Sequence, residues 1–313
     1  MLALLFPGQG SQAVGMGRDA AEVSPAARAV FQAADAALGY PLSKLCFEGP
    51  EEELVPTEVQ QPAVLTASIA LLRALEERGP LRPAFFAGHS LGEYTALVAA
   101  GSLDFEDAVR LVQARGRFMQ EAVPEGRGAM AAVLGLPAQE VAEACQRAAA
   151  ESGRVVAPAN FNGPAQTVIS GDAAAVEAAC NRARQVGAKR AVPLEVSAPF
   201  HCSLMSPAAE KLALELARVR FHAPSAPVVS NVLAVPCDDP ARFPALLEEQ
   251  VTAPVRFTEM IEALAAAGVE RVLEVGPGRV LTGLVARVSR RLGRANLESA
   301  DQIEAAAEFA AAG

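Results

Sequence analysis

Short apolar runs alternate with longer segments of helical periodicity along most of the chain. The runs at 2–6 (Leu-Ala-Leu-Leu-Phe) and 84–87 (Ala-Phe-Phe-Ala) contain no polar residue, as expected of strands that are covered on both faces. The region between 20 and 79 predicts two or three helices. Other predicted elements are strands at 228–232 and 271–275 and helices at 93–100, 105–122, within 240–251, at 258–267, from 280 onward and at 303–313. Strands that alternate with helices indicate an α/β protein with a mainly parallel sheet and helices on both faces.

The segment from about Gly128 to Val196 has a different order of elements. It predicts strand, helix, strand, strand, helix and strand, with Asn160, Asn162, Gly163 and Pro164 forming a turn between the two middle strands. This is the βαββαβ order of ferredoxin-like domains. We therefore predict a large discontinuous α/β domain, residues 1–126 and 198–313, into which a small ferredoxin-like domain, residues 127–197, is inserted.

Composition excludes several classes of protein. The 313 residues are 51% apolar and 20% charged, which is incompatible with a disordered chain. A net charge of −9 gives no support for nucleic-acid binding. The five cysteines include no Cys-x-x-Cys pair or zinc-ligand spacing, so we expect reduced thiols, no metal site and a cytoplasmic location. No apolar run is long enough to span a membrane, and the amino terminus lacks the cationic segment of a signal peptide.

The pentapeptide Gly88-His89-Ser90-Leu91-Gly92 fits the G-x-S-x-G motif of serine enzymes and lies between a predicted strand and a predicted helix. In that position the serine hydroxyl is held outward on a tight turn. The backbone N–H of Leu91 then lies at a helix N-terminus, where it can donate to an oxyanion. The alternative is an ordinary strand-to-helix turn in which Ser90 caps the helix.

A nucleophilic serine needs a base, and the chain has three histidines. The side chain of His89 should point away from that of its neighbour Ser90, and His222 has no distinctive context. His201 lies where the inserted domain is predicted to return to the large one, and domain junctions often contain active sites. By elimination His201 is the best candidate base; the alternative is a hydrogen-bonded loop histidine.

The turn that follows the first strand, Gly8-Gln9-Gly10-Ser11-Gln12-Ala13, fits a variant of the dinucleotide-binding fingerprint. That fingerprint also requires a second strand that ends in an acidic residue about 20 residues later. The region 24–38 is rich in alanine and predicts a helix instead, so a nucleotide cofactor has little support. Gln9, a neutral amide between two glycines, and the nearby backbone N–H groups suit an oxyanion site.

Arg115 interrupts the apolar face of a predicted helix. Phe105, Ala108, Val112, Arg115 and Met119 follow one another at steps of 3, 4, 3 and 4 residues and so form one stripe. A guanidinium on a buried face must meet an anion or a cavity, because an unpaired buried charge is costly. Two hypotheses stay open on this pattern: an internal ion pair, or a fork that binds a substrate carboxylate.

Six segments together resemble a known family. They are Phe-Pro-Gly-Gln-Gly-Ser-Gln at 6–12, Gly-His-Ser-Leu-Gly-Glu-Tyr at 88–94, Arg-Gly-Arg-Phe-Met-Gln at 115–120, Asn-Phe-Asn-Gly-Pro-Ala-Gln at 160–166, Pro-Phe-His-Cys at 199–202 and Glu-Val-Gly-Pro-Gly at 274–278. In this order they resemble the malonyl-CoA:acyl carrier protein transacylases of bacterial fatty acid synthesis, over essentially the whole chain. The resemblance implies an α/β-hydrolase-like large domain with a ferredoxin-like insertion.

By position, the resemblance implies that Ser90 is the acylated nucleophile and that His201 is its base. The backbone N–H groups of Gln9 and Leu91 would form the oxyanion hole. The main-chain carbonyl of Gln250 would accept a hydrogen bond from the histidine, in place of the aspartate of a hydrolase triad.

The resemblance also assigns substrate-binding residues. Arg115 would bind the malonyl carboxylate, and Phe200 would crowd an α-methyl branch, so we expect methylmalonyl-CoA to react poorly. The other residues implied to line the pocket are Met119, Asn160, Asn162 and Gln166.

The implied substrates are malonyl-CoA and the phosphopantetheine thiol of acyl carrier protein, with no cofactor and a chain that works as a monomer. Acyl carrier proteins are acidic, so docking needs local basic residues. The candidates are Lys189, Arg190, Arg279, Arg287, Arg290 and Arg291. Two other classes of protein share some of these features. One is a serine esterase or thioesterase, in which Asp172 would be the acid of the triad, although its position at the start of a predicted helix of the insertion is a poor one. The other is a non-catalytic domain that binds CoA or carrier protein.

Overall fold

The computed structural model describes residues 1–312, which form two β-sheets and the helices that cover them. The strands in this part of the chain are β1 (Leu2–Phe6), β2 (Phe85–Gly88), β3 (Gly128–Leu134), β4 (Val156–Gly163), β5 (Gln166–Asp172), β6 (Arg190–Pro193), β7 (Val228–Val229), β8 (Pro236–Cys237), β9 (Arg271–Val275) and β10 (Gly293–Leu297). The α-helices are α1 (Arg18–Val23), α2 (Pro25–Leu38), α3 (Leu42–Glu48), α4 (Thr57–Glu76), α5 (Leu91–Ala99), α6 (Phe105–Glu121), α7 (Ala138–Ser152), α8 (Ala173–Gln185), α9 (Ser206–Leu216), α10 (Phe243–Thr252), α11 (Phe257–Ala266), α12 (Val280–Val288) and α13 (Ile303–Ala311). Short 3₁₀ turns occur at Glu51–Leu54, Ser203–Met205 and Ala300–Gln302.

The larger sheet has the strand order β10-β9-β1-β2-β7-β8. Adjacent strands are parallel, except that β7 and β8 pair in antiparallel orientation. Strand β1 lies inside the sheet and is buried along its whole length, which explains its uninterrupted apolar sequence. Alternate side chains of β1 face opposite sides: Leu4 and Phe6 join the larger core with α2, α4, α5 and α6, whereas Leu5 packs with α11 and α12.

The smaller sheet has the order β4-β5-β3-β6 and is antiparallel throughout. Helices α7 and α8 cover one face and share a separate core with the strands, formed by residues between Ala131 and Ala191. The order of elements along the chain is βαββαβ, as the sequence predicts. The predicted fold class, a mainly parallel α/β sheet plus a ferredoxin-like unit, is confirmed.

Several elements differ from the sequence prediction. Four α-helices, rather than two or three, precede β2. Of the residues predicted to form a turn between the middle strands, only Pro164 does so. Asn160, Asn162 and Gly163 instead extend β4, because pairing with β5 and a bridge from Asn160 to Val255 override the low strand propensity of asparagine. Strand β10 is absent from the prediction, since an edge strand buried on few positions shows no continuous apolar run. The prediction also omits α9.

The backbone of the turn between β2 and α5 is in direct contact with the backbone at the end of β1. A Cβ atom on Gly88 would lie 1.9 Å from the carbonyl oxygen of Gly92, and a Cβ atom on Gly92 would lie 2.1 Å from that of Phe6. Both distances are far shorter than a van der Waals contact, so only glycine fits at the two positions.

This packing predicts that Gly88→Ala destabilises the protein by about 3 kcal/mol, because backbone atoms must move to admit one methyl group. The matched control is Gly283→Ala in α12, where a Cβ atom would meet nothing within 4 Å. That change should stabilise by up to about 1 kcal/mol through helix propensity. Urea unfolding followed by circular dichroism measures both, and equal midpoints for the two variants would contradict the close packing.

Candidate active site

Ser90 lies on the turn between β2 and α5 with φ 52° and ψ −104°, a backbone conformation that is strained for a residue with a side chain. Its backbone N–H donates to Oδ1 of Asn231 at 2.7 Å. Ser90 occupies the N-cap position of α5, but its side chain makes no capping hydrogen bond. The hydroxyl is therefore available to other partners, and the simple capping hypothesis does not describe it.

His201 contacts the Ser90 hydroxyl. Its Nε2 lies 2.8 Å from Ser90 Oγ, and its Nδ1 lies 2.8 Å from the main-chain carbonyl oxygen of Gln250. Because a carbonyl only accepts hydrogen bonds, Nδ1 must carry the proton, which leaves a lone pair on Nε2. The arrangement allows Nε2 to accept the proton of Ser90 Oγ.

The environment keeps His201 neutral. Burial, and then the positive charge of Arg115, lower the pKa of His201 from 6.5 to about 3, while the hydrogen bond to Gln250 acts in the opposite direction. Since this folded-state pKa lies below the ordinary one, the unfolded chain binds the extra proton first. The contribution of His201 to stability is therefore present above pH 6.5 and is lost as the pH falls from there towards 3.

Arg115 is buried in α6 and reaches the same cluster. Its Nη1 donates to Gln61 Oε1 at 2.7 Å, and its Nη2 donates to Gln250 Oε1 at 2.9 Å and to Ser90 Oγ at 3.0 Å. The guanidinium carbon lies 5.4 Å from the centre of the Tyr94 ring. Within residues 1–312 no carboxylate forms an ion pair with Arg115, so the internal ion pair considered from sequence does not form.

The cluster opens into a cavity of about 130 Å³ between the two sheets. The predicted site residues that line it are Gln9, Ser90, Arg115, Met119, Asn160, Phe200 and His201. Apolar walls are added by Met130, Leu194 and Val196. The cavity wall thus combines a hydroxyl, an imidazole and a guanidinium with a mostly apolar surface.

Two backbone N–H groups near Ser90 are free. The N–H groups of Gln9 and Leu91 donate to no acceptor within the described residues 1–312. Leu91 is the first residue of α5, where N–H groups have no partner inside the helix. Both predicted oxyanion-hole residues therefore have an unused donor, while the Gln9 side chain approaches Thr57 Oγ1 at 3.4 Å.

Other predicted residues lie outside the cavity lining. Asn162 Oδ1 accepts a hydrogen bond at 2.8 Å from Nε2 of His89, which itself lines the cavity. Gln166 accepts a hydrogen bond from Arg287. Asp172 accepts from the backbone N–H of Val155 at 3.0 Å and does not contact His201.

The candidate docking residues are at the surface. Lys189 and Arg190 lie at the start of β6, and Arg287 lies near the end of α12, where it contacts Gln166. Arg279 forms an ion pair with Glu298 at 2.8 Å, but with 72% of the Arg279 side chain exposed such a pair is worth at most about 1 kcal/mol. Arg279 thus remains accessible to another anion.

Three polar residues around Ser90, His201 and Arg115 are missing from the site residues predicted from the sequence: Gln61, Glu93 and Asn231. All three are at least nine-tenths buried and hydrogen-bonded to Ser90, Arg115 or Gln250. The adjacent pair Gln60-Gln61 is only a weak signal for the first, because α4 contains several other polar residues. Glu93 and Asn231 give no comparable signal, because their partners are distant in sequence.

Residues 1–312 contain no helix that is long and apolar enough to cross a membrane. The same part of the chain contains no group of three or more His, Cys, Asp or Glu side chains placed to hold a metal ion. The five cysteines are free and buried.

A serine on a strand-to-helix turn, bonded to a histidine in the wall of a cavity, is typical of the class of enzymes that form acyl-serine intermediates. Comparison with known proteins narrows the class. The family described as "Acyl transferase domain" matches residues 3–306. The protein is an acyltransferase.

Similar proteins extend over the whole chain. "Malonyl CoA-acyl carrier protein transacylase" of Escherichia coli K12 is 53% identical over 310 residues, which cover 98% of this chain and 99% of that protein. The solved malonyl CoA-acyl carrier protein transacylase of Coxiella burnetii is 43% identical with a TM-score of 0.96 and covers 99% of this chain and 98% of its own. The chain therefore belongs to the malonyl CoA-acyl carrier protein transacylase family, which confirms the resemblance found in the six motifs.

A third similar structure contains a partner. It is described as a type II PKS acyl-carrier protein in complex with its malonyl-transacylase. The similarity is 47% identity with a TM-score of 0.95, over 98% of this chain and 99% of that one.

The environment of His201 predicts that its imidazole does not titrate between pH 8 and 5, because its pKa is about 3. The chain has three histidines, so comparison with the variants His222→Gln and His89→Gln assigns the ring ¹³C–¹H signals, which are then followed by NMR. A His201 midpoint near 6.5 would show that burial and Arg115 do not suppress protonation.

Proposed function

We propose that this protein transfers the malonyl group of malonyl-CoA to the phosphopantetheine thiol of acyl carrier protein, through a malonyl ester on Ser90. One observation carries the proposal: a single hydroxyl contacts a neutral imidazole at 2.8 Å and a buried guanidinium without a carboxylate partner at 3.0 Å. The first contact suits nucleophilic attack, and the second suits an acyl group that ends in a carboxylate.

In the acylation step Ser90 Oγ attacks the thioester carbonyl carbon while its proton moves to His201 Nε2. The carbonyl oxygen becomes an oxyanion, which the free N–H groups of Gln9 and Leu91 would stabilise. When the C–S bond breaks, His201 returns the proton to the CoA sulfur. The products are malonyl-Ser90 and CoA thiol.

The second half-reaction reverses these steps with the carrier-protein thiol as nucleophile. His201 accepts the thiol proton, sulfur attacks the ester carbonyl, and the proton returns to Ser90 Oγ as the C–O bond breaks. The Gln250 carbonyl holds the imidazole throughout by its hydrogen bond to Nδ1. No cofactor enters either step.

Arg115 is proposed to bind the malonyl carboxylate in a bidentate manner. Its present partners, Gln61, Gln250 and Ser90, are neutral, so they orient the guanidinium without cancelling its charge. Phe200, which is 7% exposed and lines the cavity, is proposed to exclude an α-methyl branch. Met119, Asn160, Asn162 and Gln166 are proposed to shape the acyl and thioester pocket.

For the carrier protein we propose docking on exposed basic residues near the two sheets: Lys189 and Arg190 at β6, and Arg279 and Arg287 at α12. The chain has a net charge of −9, so attraction of an acidic partner requires such a local patch. The complex formed by the similar malonyl-transacylase with its acyl-carrier protein supports this choice of partner.

One chain supplies every group used above, so we propose that a monomer is sufficient and that it works in the cytoplasm, in fatty acid synthesis. The domain boundaries 1–126, 127–197 and 198–313 stay a prediction. The separate hydrophobic core of the smaller sheet, whose members all lie between Ala131 and Ala191, supports them.

The esterase alternative has less support. A hydrolase of this kind orients its histidine with a carboxylate, whereas His201 Nδ1 is bonded to a main-chain carbonyl and Asp172 is bonded elsewhere. A non-catalytic binding domain would have no need of a hydroxyl and an imidazole at 2.8 Å.

The proposal predicts that incubation with malonyl-CoA gives a malonyl adduct on Ser90, detected by peptide mapping, and that the adduct disappears in Ser90→Ala. Addition of holo-acyl carrier protein should move the group to the carrier much faster than water removes it. Ser11, on the turn that follows β1, provides the matched control: the Ser11→Ala variant should be acylated normally on Ser90. Absence of the adduct, or release to water without transfer, would refute the proposal.

Replacing Arg115 with glutamine should lower kcat/KM for malonyl-CoA by about 10- to 100-fold, which corresponds to the loss of a charge-assisted hydrogen bond. Acetyl-CoA has no carboxylate to bind, so its relative rate should rise. The exposed Arg117, two residues along the same helix, provides the control variant Arg117→Gln. An unchanged ratio of malonyl to acetyl transfer in Arg115→Gln would assign the carboxylate to another residue.

A further inference from the structure

Glu93 is a buried carboxylate that the proposed chemistry does not use. It lies in the first turn of α5, three residues after Ser90, and is 2% exposed. Its Oε2 accepts from the backbone N–H of Asn231 at 3.2 Å and from the Gln250 side-chain amide at 2.7 Å. Burial raises the pKa of Glu93 to about 7, and these two donors and Arg115 oppose that shift.

The first partner of Glu93 holds the strained turn. Asn231 Oδ1 accepts from the backbone N–H of Ser90 at 2.7 Å, and its Nδ2 donates to the carbonyl oxygen of Gly88 at 2.7 Å. One amide side chain thus bonds the backbone on both sides of the turn. A left-handed φ at a non-glycine residue persists only when its surroundings impose it, and Asn231 supplies that constraint.

The second partner of Glu93 contacts all three reactive groups. The main-chain carbonyl of Gln250 accepts from His201, its Oε1 accepts from Arg115, and its Nε2 donates to the carbonyl oxygen of Ser90 at 3.0 Å as well as to Glu93. An amide can rotate by half a turn and exchange its oxygen and nitrogen. In that flipped state an NH₂ group would face the guanidinium.

Glu93 provides the shortest of the three hydrogen bonds that favour the observed orientation of that amide; the others come from Arg115 and from the Ser90 carbonyl oxygen. A carboxylate oxygen with two donors pointing at it accepts the Gln250 NH₂ group and therefore directs Gln250 Oε1 towards Arg115. We infer that Glu93 is a positioning residue, whose carboxyl group holds the backbone N–H of Asn231 and the side-chain amide of Gln250, and through them the positions of Ser90 Oγ and the Arg115 guanidinium. This inference rests on the proposed acyl transfer at Ser90.

The inference predicts different effects for different replacements. Glu93→Leu removes the acceptor and should lower the rate of Ser90 acylation by about 100-fold, the effect expected when a reacting group is misplaced by about 1 Å. It should also lower the ratio of malonyl to acetyl transfer, because Gln250 no longer orients Arg115. Glu93→Gln keeps an acceptor for the same two donors and should restore the rate to within about tenfold of wild type and the ratio to near its original value.

Single-turnover acylation by malonyl-CoA and acetyl-CoA, with quench and mass spectrometry, gives both quantities. The control is Asp35→Ala, which also removes a carboxylate that accepts two hydrogen bonds, from Ser43 N at 2.8 Å and Ser43 Oγ at 2.5 Å, but lies on α2. It should lower thermal stability without changing rate or ratio. If Glu93→Leu does not fold, Glu93→Asp is measured instead, and its shorter carboxylate should reduce the same two quantities.

The outcomes separate the two claims. If wild-type protein forms no malonyl-Ser90, the proposed function fails before Glu93 is tested. If wild type is acylated and Glu93→Leu, or Glu93→Asp in its place, is acylated at the wild-type rate with the wild-type ratio, the inference is overturned. A lower rate with an unchanged ratio, or without rescue by Glu93→Gln, also overturns it, because a general loss of packing explains that result.

Discussion

A buried arginine that has no carboxylate partner is the constraint on which the rest of this site depends. Removing a guanidinium from water is very unfavourable unless its N–H groups are bonded, and a neighbouring aspartate or glutamate would be the usual solution. Here two glutamine oxygens and one serine oxygen bind Arg115 instead. These neutral acceptors bond the two Nη groups, whereas Nε has no hydrogen-bond partner within residues 1–312. Glu93 interacts electrostatically with the guanidinium but does not bond to it, so the cavity keeps its attraction for an anionic acyl group.

The same constraint explains the environment of His201. Its Nδ1 bonds to the main-chain carbonyl of Gln250, which selects the reactive tautomer without adding a negative charge. A carboxylate in that position would compete for Arg115 and repel a malonyl carboxylate. The arginine in turn disfavours the imidazolium form and contributes to the lowered pKa of His201. In the proposed mechanism His201 is therefore ready to act as a base in its neutral form, and the adjacent charge favours return of its proton to the departing group.

Some parts of this architecture can be predicted from the local amino-acid sequence, whereas others depend on contacts between distant parts of the chain. Strand β1 and the turn at Ser90 follow from an apolar run and a glycine-flanked serine, because buried strands and tight turns depend on nearby residues. Strand β4 continues through two asparagines only because β5 and Val255 pair with it. Asn231 lies 141 positions from Ser90. A local sequence pattern cannot identify a polar residue whose hydrogen-bond partners come from another part of the fold.

In the polar centre, the hydrogen bonds that lead from Arg115 through Gln250 to Glu93 run in one direction. Arg115 can only donate hydrogen bonds, and an ionised Glu93 can only accept them. The amide of Gln250 lies between them, with its oxygen towards the donor and its nitrogen towards the acceptor. Amides alone would tolerate either orientation, whereas a donor-only group at one end and an acceptor at the other select one. A single buried carboxyl can therefore help to select one arrangement of a polar centre whose other members, Ser90, His201, Arg115 and Gln250, carry no negative charge.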